Sequence, residues 1–168
     1  MNAEDAESQN DEYFMGRALE LARSAAEQNE VPVGAVVVRD GVIIGEACNA
    51  PIGNCDPCAH AEVLAIRRAA ENEQNYRIPG ATLYVTIEPC TMCLGAIVHA
   101  RIARVVFGAL EPKAGMLQSN TTLISNNGFN HYFTFEGGIL AETCSELISD
   151  FFKKRRENKA RLKLNTKL

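Results

Sequence analysis

The chain has 168 residues, 46% of them hydrophobic and 23% charged, with six cysteines and a formal net charge of −4. A chain of this length buries roughly two-thirds of the surface its unfolded form exposes and needs no disulfide staples, and its apolar runs fall far short of the roughly 20 residues of a membrane-spanning helix. Glu4, Asp5, Glu7, Asp11 and Glu12 precede the first base, Arg17, the reverse of a secretory leader, so the expected location is the cytoplasm.

Residues 1–10 read as a flexible acidic arm. From Asp11 onward Phe14, Ala18, Leu21, Ala22 and Ala25 recur at helical spacing and predict a helix ending before Pro32. The β-branched run Val33–Val38, the dipeptide Asp40-Gly41 and the segment Val42–Cys48 predict an antiparallel hairpin. Asn49–Pro57 reads as a loop, and Asp56-Pro57 as the start of a helix through His60, Val63, Leu64 and Ala69. Thr82–Ile87 predicts a third strand, Pro89 opens a short helix through Cys90, Cys93, Ala96 and Ile97, and Ala103–Gly108 predicts a fourth strand. Strand, helix and strand in that order imply a parallel crossover. Lys113–Ser119 predicts a turn with some helix, and His131–Phe135 a fifth strand. Ile139, Leu140, Thr143, Leu147, Phe151 and Phe152 predict the inward face of a last helix. The expected fold class is α/β: a mixed five-stranded sheet flanked by helices as a three-layer α-β-α domain over residues 11–156. A basic tail, 157–168, follows. Eight of the 17 bases fall in residues 153–168, against Glu157 alone, which suits either a polyanion or a solvated helix end that complements its dipole.

Two motifs carry chemistry, His60-Ala61-Glu62 and Pro89-Cys90-Thr91-Met92-Cys93, each at a helix start. Cys90 and Cys93 share one helical face, and a helix N-terminus favours the thiolates that a metal needs. One imidazole and two thiolates select zinc and leave a fourth tetrahedral position for water, as in catalytic sites. Hydrolysis at a ring carbon also needs a proton carrier, and Glu62 is the candidate. Positions two apart on a helix point about 200° apart, so the His-x-Glu motif must occupy the first turn, with the ion beside the helix end. Taken singly, a Cys-x-x-Cys is compatible with a redox pair or two core thiols, and a His-x-Glu with chance. Together and in this order they match the signature of zinc deaminases. A second pair, Cys55 and Cys58, is compatible with a four-thiolate structural zinc shared with Cys90 and Cys93, although the intervening gap exceeds the usual roughly 15–20 residues. Otherwise both are loop and helix-start residues. Cys48 and Cys144 read as small buried apolar residues.

Further blocks extend the pattern: Glu30-Val31-Pro32-Val33-Gly34-Ala35, Asn49 with Pro51-Ile52-Gly53, Asp56-Pro57, Gln74-Asn75-Tyr76-Arg77, Thr82-Leu83-Tyr84-Val85-Thr86, Arg104-Val105-Val106-Phe107-Gly108-Ala109 and Asp150-Phe151-Phe152. With these, from about Tyr13 to Arg156, the chain resembles the bacterial tRNA-specific adenosine deaminases of the cytidine-deaminase-like superfamily. The resemblance implies hydrolytic conversion of adenosine to inosine at the wobble position of an arginine tRNA anticodon, by a homodimer with one zinc ion per subunit. It implies zinc on His60, Cys90 and Cys93, attack of water at C6 of adenine, and Glu62 as proton shuttle. It also implies a substrate site of Asn49, Val33, Ala61 and Pro89, with Asn49 bonding the flipped purine. A loop base is already unpaired and is splayed out at little cost, and the basic tail then serves phosphate contact. The chain departs from the family at Glu111-Pro112-Lys113-Ala114-Gly115-Met116, a loop expected to touch flanking nucleotides, where an Asp followed by Lys-x-Gly-Ala is common. The zinc core alone also permits deamination of a free nucleobase or nucleoside such as guanine or cytosine. A catalytically idle RNA-binding or zinc-structural module has no use for Glu62.

Overall fold

Asp40 and Gly41 both adopt left-handed backbone, with φ of 52° and 74°, and this tight turn closes β1 (Gly34–Arg39) onto β2 (Val42–Cys48) as an antiparallel hairpin. In the computed structural model, which describes residues 3–125 and 128–165, the hairpin is one side of a five-stranded sheet. β3 (Thr82–Ile87) pairs antiparallel with β1, β4 (Arg104–Ala109) parallel with β3, and β5 (Thr134–Gly137) parallel with β4, in the order β2-β1-β3-β4-β5. The mixed sheet is the one expected.

Strand residues alternate between two cores. Ala35, Val37, Leu83, Val85, Val105 and Phe107 face Ala65, Ile66 and Ala69 of α3 (Ala61–Asn72) and Leu94 and Ile97 of α4 (Thr91–Ala100). Val36, Val38, Tyr84 and Val106 face Phe14, Met15, Ala18 and Leu19 of α1 (Ala3–Glu27) and Cys144 of α6 (Ala141–Asn165). The result is three layers, with the helices that carry both motifs together on one face. Gly45 on β2 seats one of them: a Cβ there would lie 2.4 Å from the Ala65 carbonyl oxygen, so α3 approaches the sheet at a distance that excludes any side chain.

Several boundaries differ from expectation. Residues 3–10, expected to be a loose arm, are the first turns of α1; Ala and Glu are strong helix formers, and acids suit a helix N-terminus. At the other end α6 does not dissolve at residue 156 but runs to Asn165, because Lys, Arg, Glu, Ala and Leu sustain a helix. The 49–57 loop contains a short helix, α2 (Pro51–Asn54), with proline at its start. α3 begins at Ala61 rather than Pro57, because Asp56 closes a turn instead: its Oδ1 accepts the Cys58 N–H at 2.8 Å and its carbonyl the Ala59 N–H at 3.1 Å. α4 begins at Thr91 rather than Pro89. Residues 113–119 hold turns and no helix; the helical turn comes later, as α5 (Thr122–Ser125). β5 starts three residues beyond His131, whose ring nitrogen lies 2.6 Å from the Ile102 carbonyl. Thr143 is exposed and Cys144 is the buried neighbour, and Ile139 and Leu140 precede α6. Among the described residues, no helix is long and apolar enough to cross a membrane.

Asp11 ties α1 to the sheet. Its buried carboxylate accepts from the Tyr84 hydroxyl on β3 at 2.7 Å and from Arg104 on β4 at 2.9 and 2.7 Å, and Arg104 also reaches Glu136 on β5 at 2.9 Å. Burial pushes the Asp11 carboxyl up, but the bonds from Arg104 and Tyr84 outweigh it and hold it below the usual carboxylate range. A folded value below the unfolded one, about 3.9, stabilises the fold above that pH and ceases to do so as pH falls through the folded value. Asp11→Asn is therefore expected to lower the unfolding free energy by about 2–3 kcal/mol at neutral pH, measured by urea denaturation. The gap to the parent protein should close as pH falls below about 4; a gap that persists at lower pH would contradict the assignment.

Candidate active site

Two helix N-termini deliver the groups that the motifs singled out. His60 is the N-cap of α3 (φ −71°, ψ 149°) and Cys90 that of α4 (φ −81°, ψ 176°). Both therefore sit in extended backbone just before a helix, and neither side chain caps its own helix. They meet instead. The His60 Nδ1 lies 3.7 Å from the Cys90 Sγ and 3.5 Å from the Cys93 Sγ, and the two sulfurs are 3.7 Å apart. Tetrahedral bonds of about 2.3 Å to sulfur and about 2.0–2.1 Å to nitrogen put two sulfurs about 3.8 Å apart and sulfur and nitrogen about 3.6 Å apart. The triangle thus fits one face of a zinc tetrahedron, and it is the one such His/Cys/Asp/Glu group among the described residues. Cys55 and Cys58 are exposed and lie outside it, so the four thiols of the alternative site are not brought together.

The sulfurs behave as a pair. Contact with the Cys93 thiol, together with His60 and the Cys93 amide, overcomes burial and pulls Cys90 down to about 3. The same contact with Cys90, reinforced by burial, pushes Cys93 well above its usual value. The pair holds one proton, which is the proton a divalent cation displaces. The Cys90 sulfur in turn raises the proton affinity of His60.

Glu62 is 3% exposed and lies in the first turn of α3, where the spacing required the motif to be. Burial pushes its carboxyl above the usual carboxylate range, the direction that suits a group that must take up and give back a proton. The expected substrate residues adjoin it. Asn49 is buried; its Oδ1 accepts the Ala61 N–H at 2.9 Å and its own N–H donates to the Val33 carbonyl at 2.9 Å. The first bond satisfies one of the orphan amides of α3 and fixes which end of the Asn49 side chain remains a donor. Val33 and Ala61 are buried, as is Pro89, directly before Cys90.

Two buried carboxylates escaped the sequence reading. The Glu30 Oε1 accepts the Gly53 N–H at 2.7 Å and so holds α2 beside Asn49. Glu88 immediately precedes Pro89-Cys90 and bonds a distant loop. No local pattern marks it, because its partners lie some 30 residues further along the chain.

Residues 8–109 match the family model of the cytidine and deoxycytidylate deaminase zinc-binding region. A tRNA-specific adenosine deaminase of Haemophilus influenzae is 51% identical over 160 residues, covering 95% of this chain and 92% of the relative. That of Bacillus subtilis is 42% identical over 155 residues, covering 92% and 96%. A solved structure from work on A-to-I editing by tRNA:A34 deaminases at the wobble position of transfer RNA superposes with a TM-score of 0.78 at 44% identity, covering 80% of this chain and 98% of its own. The guanine deaminase of Nitrosomonas europaea superposes with a TM-score of 0.71 at 22% identity over 83% of each chain, a likeness of fold.

Cys93→Ala and His60→Ala are each expected to lose most of the bound zinc, measured by elemental analysis of the purified protein, whereas the double variant Cys55→Ser/Cys58→Ser keeps it. Zinc loss in the double variant would contradict the ligand set.

Proposed function

Because the chain belongs to the cytidine and deoxycytidylate deaminase family, and within it to the tRNA-specific adenosine deaminases, we infer that it is a hydrolase that converts adenosine to inosine at the wobble position of transfer RNA. The observation that carries this reading is the His60–Cys90–Cys93 triangle with buried Glu62 beside it, in a chain that matches these enzymes over nearly its whole length. Its finer features are proposals: one zinc ion per chain, an arginine tRNA anticodon stem-loop as substrate, a homodimer, a cytoplasmic location and a deaminase domain over residues 11–156.

His60, Cys90 and Cys93 would hold the zinc, which when bound polarises a water toward hydroxide and acts as a Lewis acid. Glu62 accepts a proton from the attacking water and passes it to N1 of adenine as oxygen adds at C6. It next takes the proton of the new C6 hydroxyl and gives it to the amine as the C6–N bond breaks, so that ammonia leaves and C6 keeps oxygen as the inosine carbonyl. Asn49, held through its Oδ1, orients the purine, and Val33, Ala61 and Pro89 wall the base from water. An anticodon loop base leaves its stack at low cost. The exposed bases Lys153, Lys154, Arg155, Arg156, Lys159, Arg161 and Lys163 along α6 supply phosphate contacts, with Lys167 beyond the described residues.

The purified protein is expected to form inosine in an arginine anticodon stem-loop with adenosine at the wobble position and to leave free adenosine, cytidine, cytosine and guanine unchanged, read by nucleoside mass analysis. Turnover of a free base or nucleoside with the RNA untouched would keep the zinc chemistry and overturn the substrate. Glu62→Ala is expected to slow turnover by at least about 100-fold while zinc stays bound; zinc loss would assign Glu62 to the metal instead.

A further inference from the structure

Glu88 is 2% exposed and takes no part in the chemistry above, yet its carboxylate gathers five donors from one distant segment. Oε1 accepts the N–H groups of Leu117 at 2.9 Å, Gln118 at 2.7 Å and Ser119 at 2.8 Å. Oε2 accepts the Glu111 N–H at 3.1 Å and the Ser119 hydroxyl. Burial raises the cost of this charge, and the converging donors hold it ionised, below the usual carboxylate range. The fit is closest at Gly115, where a Cβ would stand 2.2 Å from Oε2. The same segment is fastened to the active-site strand a second time, by the Met116 N–H donating to the Pro89 carbonyl at 3.0 Å.

Residues 111–119 contain no helix or strand, so there is no ladder of their own to fix their path past Pro89-Cys90. The carboxylate does that work, and it leaves Lys113 and Gln118 exposed on the rim, a cation and an amide suited to a phosphodiester backbone. We propose that Glu88 is a positioning residue for the reaction: by clamping residues 111–119 beside Pro89 it presets a wall for the nucleotides next to the target adenosine. The inference rests on the RNA-directed reading above. Its contribution falls on substrate binding, because Glu88 touches none of the three metal-site side chains or Glu62 in the bonds it makes.

The test is steady-state inosine formation on the anticodon stem-loop, with zinc content and thermal melting followed in parallel. Glu88→Gln keeps the shape but replaces one acceptor oxygen with an amide donor aimed at N–H groups. It is expected to raise KM about tenfold, with kcat within about threefold of the parent and zinc retained. Ser119→Ala, which removes one donor and leaves the carboxylate, is expected to raise KM about two- to threefold. A merely structural Glu88 would lower the melting temperature and kcat together at unchanged KM, and that result, or no change in either constant, overturns the proposal. Should Glu88→Gln fail to fold, Ser119→Ala decides: a raised KM supports the clamp and an unchanged one overturns it. A parent protein inactive on the RNA but active on a free base overturns the underlying reading, and the clamp's role with it.

Discussion

An imidazole nitrogen and two sulfurs packed within 3.7 Å of one another form a concentration of ligand atoms that most of the surrounding fold serves to hold. Each of the three comes from a segment that has just left extended backbone for a helix, so their separation depends on where α3 and α4 begin to within a fraction of a residue. The positive end of α4 favours thiolate at Cys90. Gly45 lets α3 lie against β2, Asn49 caps α3 from outside, and the end of β3 carries Glu88, Pro89 and Cys90 in direct succession. The site also sits beyond the carboxyl end of β3, where parallel sheets open their crevices.

Much of this was legible from residue order because it rests on local chemistry. Asp40-Gly41 demands positive φ and so announces the hairpin; Thr82–Ile87 and the following Pro89 announce a strand that gives way to a helix. The placement of His60 and Glu62 in a first turn followed from the 100° step of a helix alone. What escaped were features whose meaning lies across space. Glu88 is informative only beside Leu117, Gln118 and Ser119, some 30 residues on, and Glu30 only beside Gly53. Helix ends were misjudged where polarity was taken for looseness: the acidic start of α1 and the basic end of α6 are largely polar in composition yet rich in Ala, Glu, Lys and Arg, which sustain a helix. The start of α3 slipped because Asp56-Pro57, a sound helix opening, spends its carboxylate on a turn.

Charge is divided in the same way as function. The net charge of −4 gives no long-range attraction for RNA, so association depends on local fields. In the proposed function the bases of α6 supply one such field, and their contribution is expected to fall with added salt through counterion release. Near the site itself the balance is held by buried carboxylates that are either bonded, like Glu88, or kept protonatable by burial, like Glu62.

The most direct test is zinc K-edge X-ray absorption of the purified protein in solution, which reads the ligand shell without reference to substrate. The expected shell has two sulfurs at about 2.3 Å and two lighter atoms, one of them imidazole nitrogen, at about 2.0–2.1 Å. A shell of four sulfurs would mean that Cys55 and Cys58 join Cys90 and Cys93 in a closed structural site, and would contradict an open catalytic centre built on His60.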